Sequence, residues 1–260
     1  MLVEQRYQKI LDLMQEDGSV RVSRLKQEMD VSSETIRRDL ENMEAQGLIR
    51  RTRGGAFLNV DKKSDQESSA YTPFGTRDQE KPENKEQIAE YALHFIQEGQ
   101  SIALDSGTTA FALAKAIKKH FHSLTVVTNS WAIINELSDA EGITVIATGG
   151  VFNREEKAFI SDMAGMIFSK LSINTFFLTT CGISVDKGIT YQRMNEIIVQ
   201  EKMMEASADT IIIADSSKLG VNSLVKMCDV DKISMIITDS EASAEQIEPF
   251  VKAGIRVEQA

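Results

Sequence analysis

The chain has 260 residues, 42% of them hydrophobic and 26% charged, which excludes a disordered or fibrous protein and allows one large domain or two ordinary ones. A net charge of −10 argues against bulk attraction to nucleic acid. The two cysteines, Cys181 and Cys228, form no CxxC or Cys/His spacing, which argues against a disulfide framework or zinc site.

No apolar run reaches the roughly 18 residues of a membrane span, so no membrane partner is expected. Met1 to Arg6 carries no basic start with an apolar run behind it, so a cytoplasmic protein without a signal peptide is expected.

Tyr7, Ile10, Leu11 and Met14 recur at helical spacing and predict an amphipathic first helix that stops near Gly18. Val22, Leu25 and Met29 predict a short second helix, and Asp30-Val31 a tight turn. Ser32 then stands where an N-cap offers its hydroxyl to free backbone N–H groups. Ile36, Leu40 and Met43 form the buried stripe of a third helix, with Gly47 as its stop. A basic ribbon from Leu48 to Leu58 follows, with Gly54-Gly55 near its tip.

This ordered set predicts a winged helix-turn-helix, and its expected partner is double-stranded operator DNA. Ser32, Ser33, Thr35, Arg37 and Arg38 lie on or near the exposed N-terminal part of the third helix, where base edges and phosphates are met. Arg50, Arg51, Arg53, Gly54 and Gly55 are the wing candidates. An Arg-Arg pair alone is usually a solvated face; the order of the elements carries the reading. Residues 1–58 hold ten basic and ten acidic side chains, so this domain is weakly charged for a DNA binder. A homo-oligomer, dimer or tetramer, on paired half-sites is therefore expected.

Val31-Ser32 followed by Thr35-Ile36-Arg37-Arg38-Asp39-Leu40, then Glu44 to Arg51 and Arg53-Gly54-Gly55-Ala56, resembles the N-terminal signature of DeoR-family bacterial transcription regulators. The resemblance implies a winged helix-turn-helix and, usually, repression of sugar-metabolism genes.

Residues 59–83 are polar, hold Pro73 and Pro82, and show no periodicity, which predicts a linker between domains at 1–58 and 84–260. Members of the family often carry an arginine in this stretch and a lysine opening the next helix, positions that Arg77 and Lys85 fit. For Arg77 a plain solvated linker charge is an equal reading.

Beyond the linker, short apolar runs alternate with helical patterns. Strands are predicted at 101–104, 124–127, 143–146, 175–178, 210–213 and 234–237, and helices at 88–96, 108–120 and 193–208, among others. That alternation predicts an α/β fold with a mostly parallel, doubly wound sheet. The strands run into polar ends: Asp105-Ser106-Gly107-Thr108-Thr109, Thr128-Asn129-Ser130, Thr148-Gly149-Gly150, Thr180-Cys181-Gly182 and Asp215-Ser216-Ser217-Lys218. Carboxyl ends of parallel strands are where open α/β sheets bind ligands. Gly107 lets the backbone bend close, Thr108 and Thr109 supply hydroxyls, and the helix start supplies amides, which suits phosphate. Lys218 would add a positive charge.

No GxGxxG or GxxxxGK[ST] run is present, which argues against dinucleotides and nucleoside triphosphates. His94, His120 and His122 lack ligand spacing, so no metal site is expected, and Cys181 reads as a small pocket-lining residue. The rim loops again resemble the DeoR family's sensor domain, which implies a phosphorylated sugar or related metabolite as effector and no cofactor. The effector-site candidates are Asp105, Ser106, Gly107, Thr108, Thr109, Thr128, Asn129, Ser130, Gly149, Gly150, Cys181, Gly182 and Lys218. That sensor domain is itself similar to ribose phosphate isomerase, so the alternative is an isomerase-like sugar-phosphate enzyme with an appended DNA-binding domain. The strand end Thr179-Thr180-Cys181-Gly182 offers no carboxylate for proton transfer, so no catalytic residue is expected.

Overall fold

The structure is a computed structural model that describes residues 6–7, 9–10, 13, 19–29, 31–45, 49–52, 55–58 and 72–260. The chain divides into two compact units, Met1–Ser68 and Ser69–Ala260. Leu11, Met14, Gly18, Asp30, Gly47, Leu48, Arg53, Gly54 and residues 59–71, all used in the sequence reading, lie outside the described residues.

In the first unit Arg6, Tyr7, Lys9, Ile10 and Leu13 are on helical backbone. Then come β1 (Ser19–Arg21), α1 (Val22–Met29), α2 (Ser33–Ala45), β2 (Ile49–Thr52) and β3 (Gly55–Leu58). The strands form one antiparallel sheet in the order β1-β3-β2. β1 is not among the predicted elements, because three residues carry no measurable alternation. Ile10, Leu25, Ile36, Leu40 and Met43 are at most 1% exposed and form the core, as their helical spacing predicts.

In the second unit the chain runs through α3 (Phe74–Gln79), α4 (Pro82–Ala92), β4 (Ser101–Leu104), α5 (Thr108–His120), β5 (Leu124–Thr128), α6 (Trp131–Leu137) and β6 (Ile143–Ala147). A hairpin of β7 (Phe152–Asn153) and β8 (Ala158–Phe159) leads to α7 (Asp162–Gly165) and β9 (Ile173–Leu178). After these come β10 (Gly182–Ser184), β11 (Gly188–Tyr191), α8 (Met194–Glu205), β12 (Ser207–Ile213), β13 (Val225–Cys228), β14 (Met235–Thr238), α9 (Ala244–Lys252) and β15 (Arg256–Gln259).

Seven of these strands form one sheet in the order β15-β14-β12-β9-β4-β5-β6. Every neighbouring pair in it is parallel. Side chains alternate between its faces, as the pleat requires. Ile102, Leu104, Phe177, Ile211 and Ile213 pack with α4 and α5 through Ile88, Leu113 and Ile117. Ala103, Phe176, Leu178 and Ile212 pack on the opposite face with α8 and α9 through Val199, Met203 and Phe250. Helices therefore cover both faces, and the sheet is doubly wound. The strand order reverses direction between β4 and β9, which opens a crevice at their carboxyl ends.

The stretch before α4 differs from the expected linker. Residues 73–82, expected to be linker, include α3 and the start of α4. Phe74 is 1% exposed, and its ring meets Phe111 of α5 edge-on at 5.9 Å. Burying one such ring stabilises by about 1.5–3 kcal/mol, enough to pin a short polar segment. The Phe74 amide also donates to the Glu155 carbonyl at 3.0 Å, tying α3 to the β7–β8 turn. Pro82 at the first turn of α4, where no N–H is needed, sets that helix's start.

Candidate functional site

Two surfaces carry the functional candidates, one on each unit. On the first, Ser32 caps α2, its Oγ accepting the Thr35 amide at 3.1 Å and lying 2.8 Å from the Thr35 hydroxyl. Ser32, Glu34, Arg37 and Arg38 are exposed, and Ser33 and Thr35 are half-buried. Arg37 has Glu34 at 3.8 Å, a solvent-exposed pair of little energetic weight. Asp39, next in sequence, points the other way and is 4% exposed. Arg6 clamps it with two hydrogen bonds of 2.6 and 2.9 Å, fixing the first helical segment on α2. Arg50 and Arg51 lie on the β2 backbone opposite Phe57 and Ala56, and Gly55 opens β3 opposite Thr52. Arg53 and Gly54 fall outside the described residues.

On the second unit a cavity of about 360 Å³ opens at the carboxyl ends of β4, β9 and β12. Its floor is the loop Asp105 to Thr109, which the sequence reading placed in the effector site, and all five residues line it. Asp105 is 1% exposed. It accepts the Gly107 amide at 3.0 Å, the Thr179 amide at 3.2 Å and the Thr179 hydroxyl at 2.8 Å. Burial raises its pKa, and those hydrogen bonds with the nearby Arg77 charge oppose the rise. Three donors on one carboxylate make Asp105 a bolt between the ends of β4 and β9, not a mobile base.

Gly107 is the N-cap of α5 and, having no side chain, leaves the first-turn amides without a side-chain acceptor. Its bareness is required by space: a Cβ there would lie 1.9 Å from Thr179 Oγ1. The amides of a 13-residue helix, with the buried hydroxyls of Ser106, Thr108 and Thr109, form a place for an anion.

Four cations stand around it. Lys218 ends a 3₁₀ turn (Ser216–Lys218) whose start is capped by Asp215. Lys85, 6% exposed, donates to the carbonyls of Glu80, at 2.6 Å, and of Arg77. Burial lowers the Lys85 pKa and Lys218 adds to that, while Asp215, Asp78 and Glu80 oppose it. Lys81 reaches Glu241 at 3.1 Å. Arg77 donates through Nε to the Thr72 carbonyl at 2.9 Å and through a terminal nitrogen to Glu156. All four line the cavity, three of them from the segment Thr72 to Lys85, which is thus a strap along its wall and not a solvated linker.

The remaining wall comes from β11, α8 and the β7–β8 turn. Glu156, Glu196 and Gln200 are each less than a tenth exposed there. Burial pushes the Glu156 carboxyl up to about 7, with Glu196 adding to the shift and Arg193 opposing it. Cys181 lines the cavity as expected, and burial, with Glu196, pushes its thiol up to about 11, so it stays protonated at neutral pH.

Thr128, Asn129, Ser130, Gly149, Gly150 and Gly182 do not line this cavity. The ends of β5 and β6 are taken up by the β7–β8 hairpin instead. The Asn129 side-chain amide donates to the Phe159 carbonyl at 3.1 Å, and the Asn129 backbone carbonyl accepts the Phe159 amide at 2.8 Å. Ser130 caps α6, and Thr128 Oγ1 accepts the Ser130 amide at 3.0 Å. Gly150 passes Ser161 so closely that a Cβ would come within 2.8 Å of its Oγ. Gly182 pairs with Thr190 in the small β10-β11-β13 sheet. Among the described residues no group of three or more His, Cys, Asp or Glu is placed to hold a metal ion. Nor, among them, is any helix long and apolar enough to cross a membrane.

Residues 6–62 match the family model described as the DeoR-like helix-turn-helix domain, and residues 80–240 that of the DeoR C terminal sensor domain. The L-fucose operon activator of Haemophilus influenzae is 35% identical, over 88% of this chain and 89% of its own. The HTH-type transcriptional regulator GlpR of Haloferax volcanii is 31% identical, over 99% and 98%. The glycerol-3-phosphate regulon repressor of Escherichia coli is 29% identical, over 98% of both chains. Among solved structures, ribose 5 phosphate isomerase A from Neisseria gonorrhoeae aligns over 55% of this chain and 54% of its own. Its identity is 18% and its TM-score 0.41, a likeness too low to bear on function.

Proposed function

The chain belongs to the DeoR family of transcriptional regulators, and on that premise we propose that a phosphorylated sugar in the β4–β9 crevice controls its grip on operator DNA. The observation that carries the reading is one convergence. The uncapped start of α5 meets Lys218 and Lys85 in a cavity of about 360 Å³, a size for a small metabolite. Helix amides and ammonium groups are the usual holders of phosphate. Relatives named for glycerol-3-phosphate and L-fucose genes support a carbohydrate effector.

The DNA side uses the exposed N-terminal part of α2, with Arg37 and Arg38 presented to the major groove and β2–β3 as the wing. Its weak net charge supports binding as a homo-oligomer, in which two half-sites add their contributions, and membership of a DNA-binding regulator family supports a cytoplasmic protein. We take the sign to be repression, as in the E. coli relative's name; the H. influenzae relative's name carries the opposite sign. The strap supplies the coupling. Thr72, Arg77, Glu80, Lys81 and Lys85 line the cavity and belong to the stretch that opens the second unit, so an effector touching Arg77 or Lys85 acts at the start of the sensor unit, close in sequence to the DNA-binding unit. The effector must favour the DNA-incompetent state, since it shifts the balance only by its differential affinity.

A screen of phosphorylated three- to six-carbon sugars by thermal shift tests the reading. At about a hundredfold excess over Kd, a true effector stabilises the sensor unit by ~2.7 kcal/mol, several degrees in melting temperature. No shift with any of them contradicts it. One observation favours the enzyme alternative: Glu156, with its carboxyl at about 7, is suited to proton transfer. Turnover of a sugar phosphate that disappears in Glu156→Gln would make the protein an enzyme.

A further inference from the structure

The wall built by the β7–β8 turn and α8 holds something the phosphate end does not use. Glu156 and Gln200, 5% and 3% exposed, each have a side-chain oxygen, Oε1, that accepts no hydrogen bond from any described residue. Both residues line the cavity. Among the described residues only two other buried side-chain atoms lack a partner, Asn129 Oδ1 and Thr238 Oγ1, and neither residue lines it. Buried acceptors without donors are costly and rare, so two on one cavity wall call for an explanation.

Neither orphan is a loose side chain. The second oxygen of Glu156 is held by Arg77, and the Asn153 side chain holds the Glu155 and Glu156 amides at 2.9 and 3.1 Å. Gln200 sits in α8 between the core residues Val199 and Met203. Glu196, one helical turn before it, adds a second buried carboxyl. An amide oxygen can only accept hydrogen bonds, and so can the Glu156 carboxylate once it is ionised above about pH 7. Their complement is a group with O–H or N–H donors. Above pH 7, where Glu156 is ionised, an anionic group brought to this wall would meet its carboxylate, which repels it and offers it no donor.

We propose that Glu156 and Gln200 select the effector by the part of its carbon chain away from the phosphate. They accept hydrogen bonds from its hydroxyl groups and exclude a carboxylate there. The effector class is thus an aldose, ketose or alditol phosphate, and aldonate phosphates are rejected. This rests on the phosphosugar reading above. It adds a discrimination that the phosphate-binding loop cannot make, because that loop meets the same group in all these compounds.

The test uses the full chain at pH 8.5, where Glu156 is ionised, and matched probes in two lengths. They are glucose 6-phosphate, glucitol 6-phosphate and 6-phosphogluconate, then ribose 5-phosphate, ribitol 5-phosphate and ribonate 5-phosphate, with inorganic phosphate as reference. Within the length that binds, the aldose or alditol phosphate is expected to bind about tenfold or more tightly than the aldonate, as suits a buried charged acceptor. Glu156→Gln, which places a donor at the wall, should narrow that ratio to about threefold or less, each affinity being taken relative to inorganic phosphate so that any change at Arg77 cancels. Gln200→Met keeps the volume and removes the acceptor. It should weaken the alditol phosphate about fivefold, without effect on inorganic phosphate. An aldonate that binds as tightly as its alditol, or a ratio unchanged in both variants, overturns the inference and leaves the phosphosugar reading standing. If no organic phosphate of either length binds more tightly than inorganic phosphate, the phosphosugar reading falls and the inference with it.

Discussion

Replacing Arg37 and Arg38 together with alanine is expected to weaken duplex binding about a hundredfold or more and to leave the melting temperature of the protein unchanged. Both side chains are exposed on α2, and Ile36, Leu40 and Met43 on the opposite stripe are fully buried. The capped start of that helix is therefore held rigidly with its arginines outward. A well-placed arginine contributes about 1–3 kcal/mol to base or phosphate contact, roughly a factor of ten each. The Arg37–Glu34 pair, at 3.8 Å and in solvent, contributes little to stability, so folding is spared. The slope of log affinity against log salt should also become shallower as phosphate contacts are lost. A double variant that binds within about threefold of the wild type would remove α2 as the reading helix.

The second large effect is expected from Gly107→Ala, and it is steric. The backbone torsion φ of −75° at Gly107 is open to any residue. The added Cβ would lie 1.9 Å from Oγ1 and 2.6 Å from both Cβ and Cγ2 of Thr179. Thr179 has no room to give, because Asp105 holds its amide and its hydroxyl at once. The loop at the start of α5 must move, breaking the bolt between β4 and β9. Overpacking of this kind costs about 3 kcal/mol. In a unit of this size that is a fall of roughly 6–12 °C in melting temperature. Loss of every effector-induced shift should accompany it. Gly75→Ala is the matched control. Nothing lies within 4 Å of a Cβ there and the residue is inside α3, so stability should hold or rise slightly. Equal melting temperatures for the two variants would show that the loop at Gly107 is not tightly built.

What the sequence disclosed and what it hid follow from local signal strength. The span of α2 could be read from Ser32, the stripe Ile36, Leu40 and Met43, and the paired arginines between them, because each is a local rule that the fold obeys. The strands β4, β5, β9, β12 and β14 could be read because a sheet covered on both faces needs short runs of branched apolar residues. β15, with Arg256 and Glu258 in a four-residue edge strand, carries the charges that edges tolerate and so does not look like a strand. The strap was hidden for a similar reason. Phe74 is a single aromatic residue in polar surroundings, and α3 is too short to show a period.

The cavity was half legible. The Asp105 to Thr109 loop and Lys218 announce themselves by residue type at a strand end. Glu156, in the run Arg154-Glu155-Glu156-Lys157, looks like a solvated turn, and its burial comes from the strap and α8 closing over it. Gln200 resembles any surface glutamine until α8 is packed. Thr128, Asn129 and Ser130 mislead in the other direction. Polar strand ends serve as helix caps as readily as ligand contacts, and here the β7–β8 hairpin consumes them.

The central claim is that one small molecule in the β4–β9 crevice changes the affinity for DNA. It is tested most directly by titrating the full chain with a duplex selected by the protein from a random-sequence library. The titration is run without ligand and with a saturating concentration of the sugar phosphate that shifts the melting temperature. The expected result is a loss of duplex affinity of at least tenfold, within the range of ordinary coupling energies, together with an equal loss of sugar-phosphate affinity when duplex is bound. An unchanged duplex affinity at saturating sugar phosphate would contradict the account.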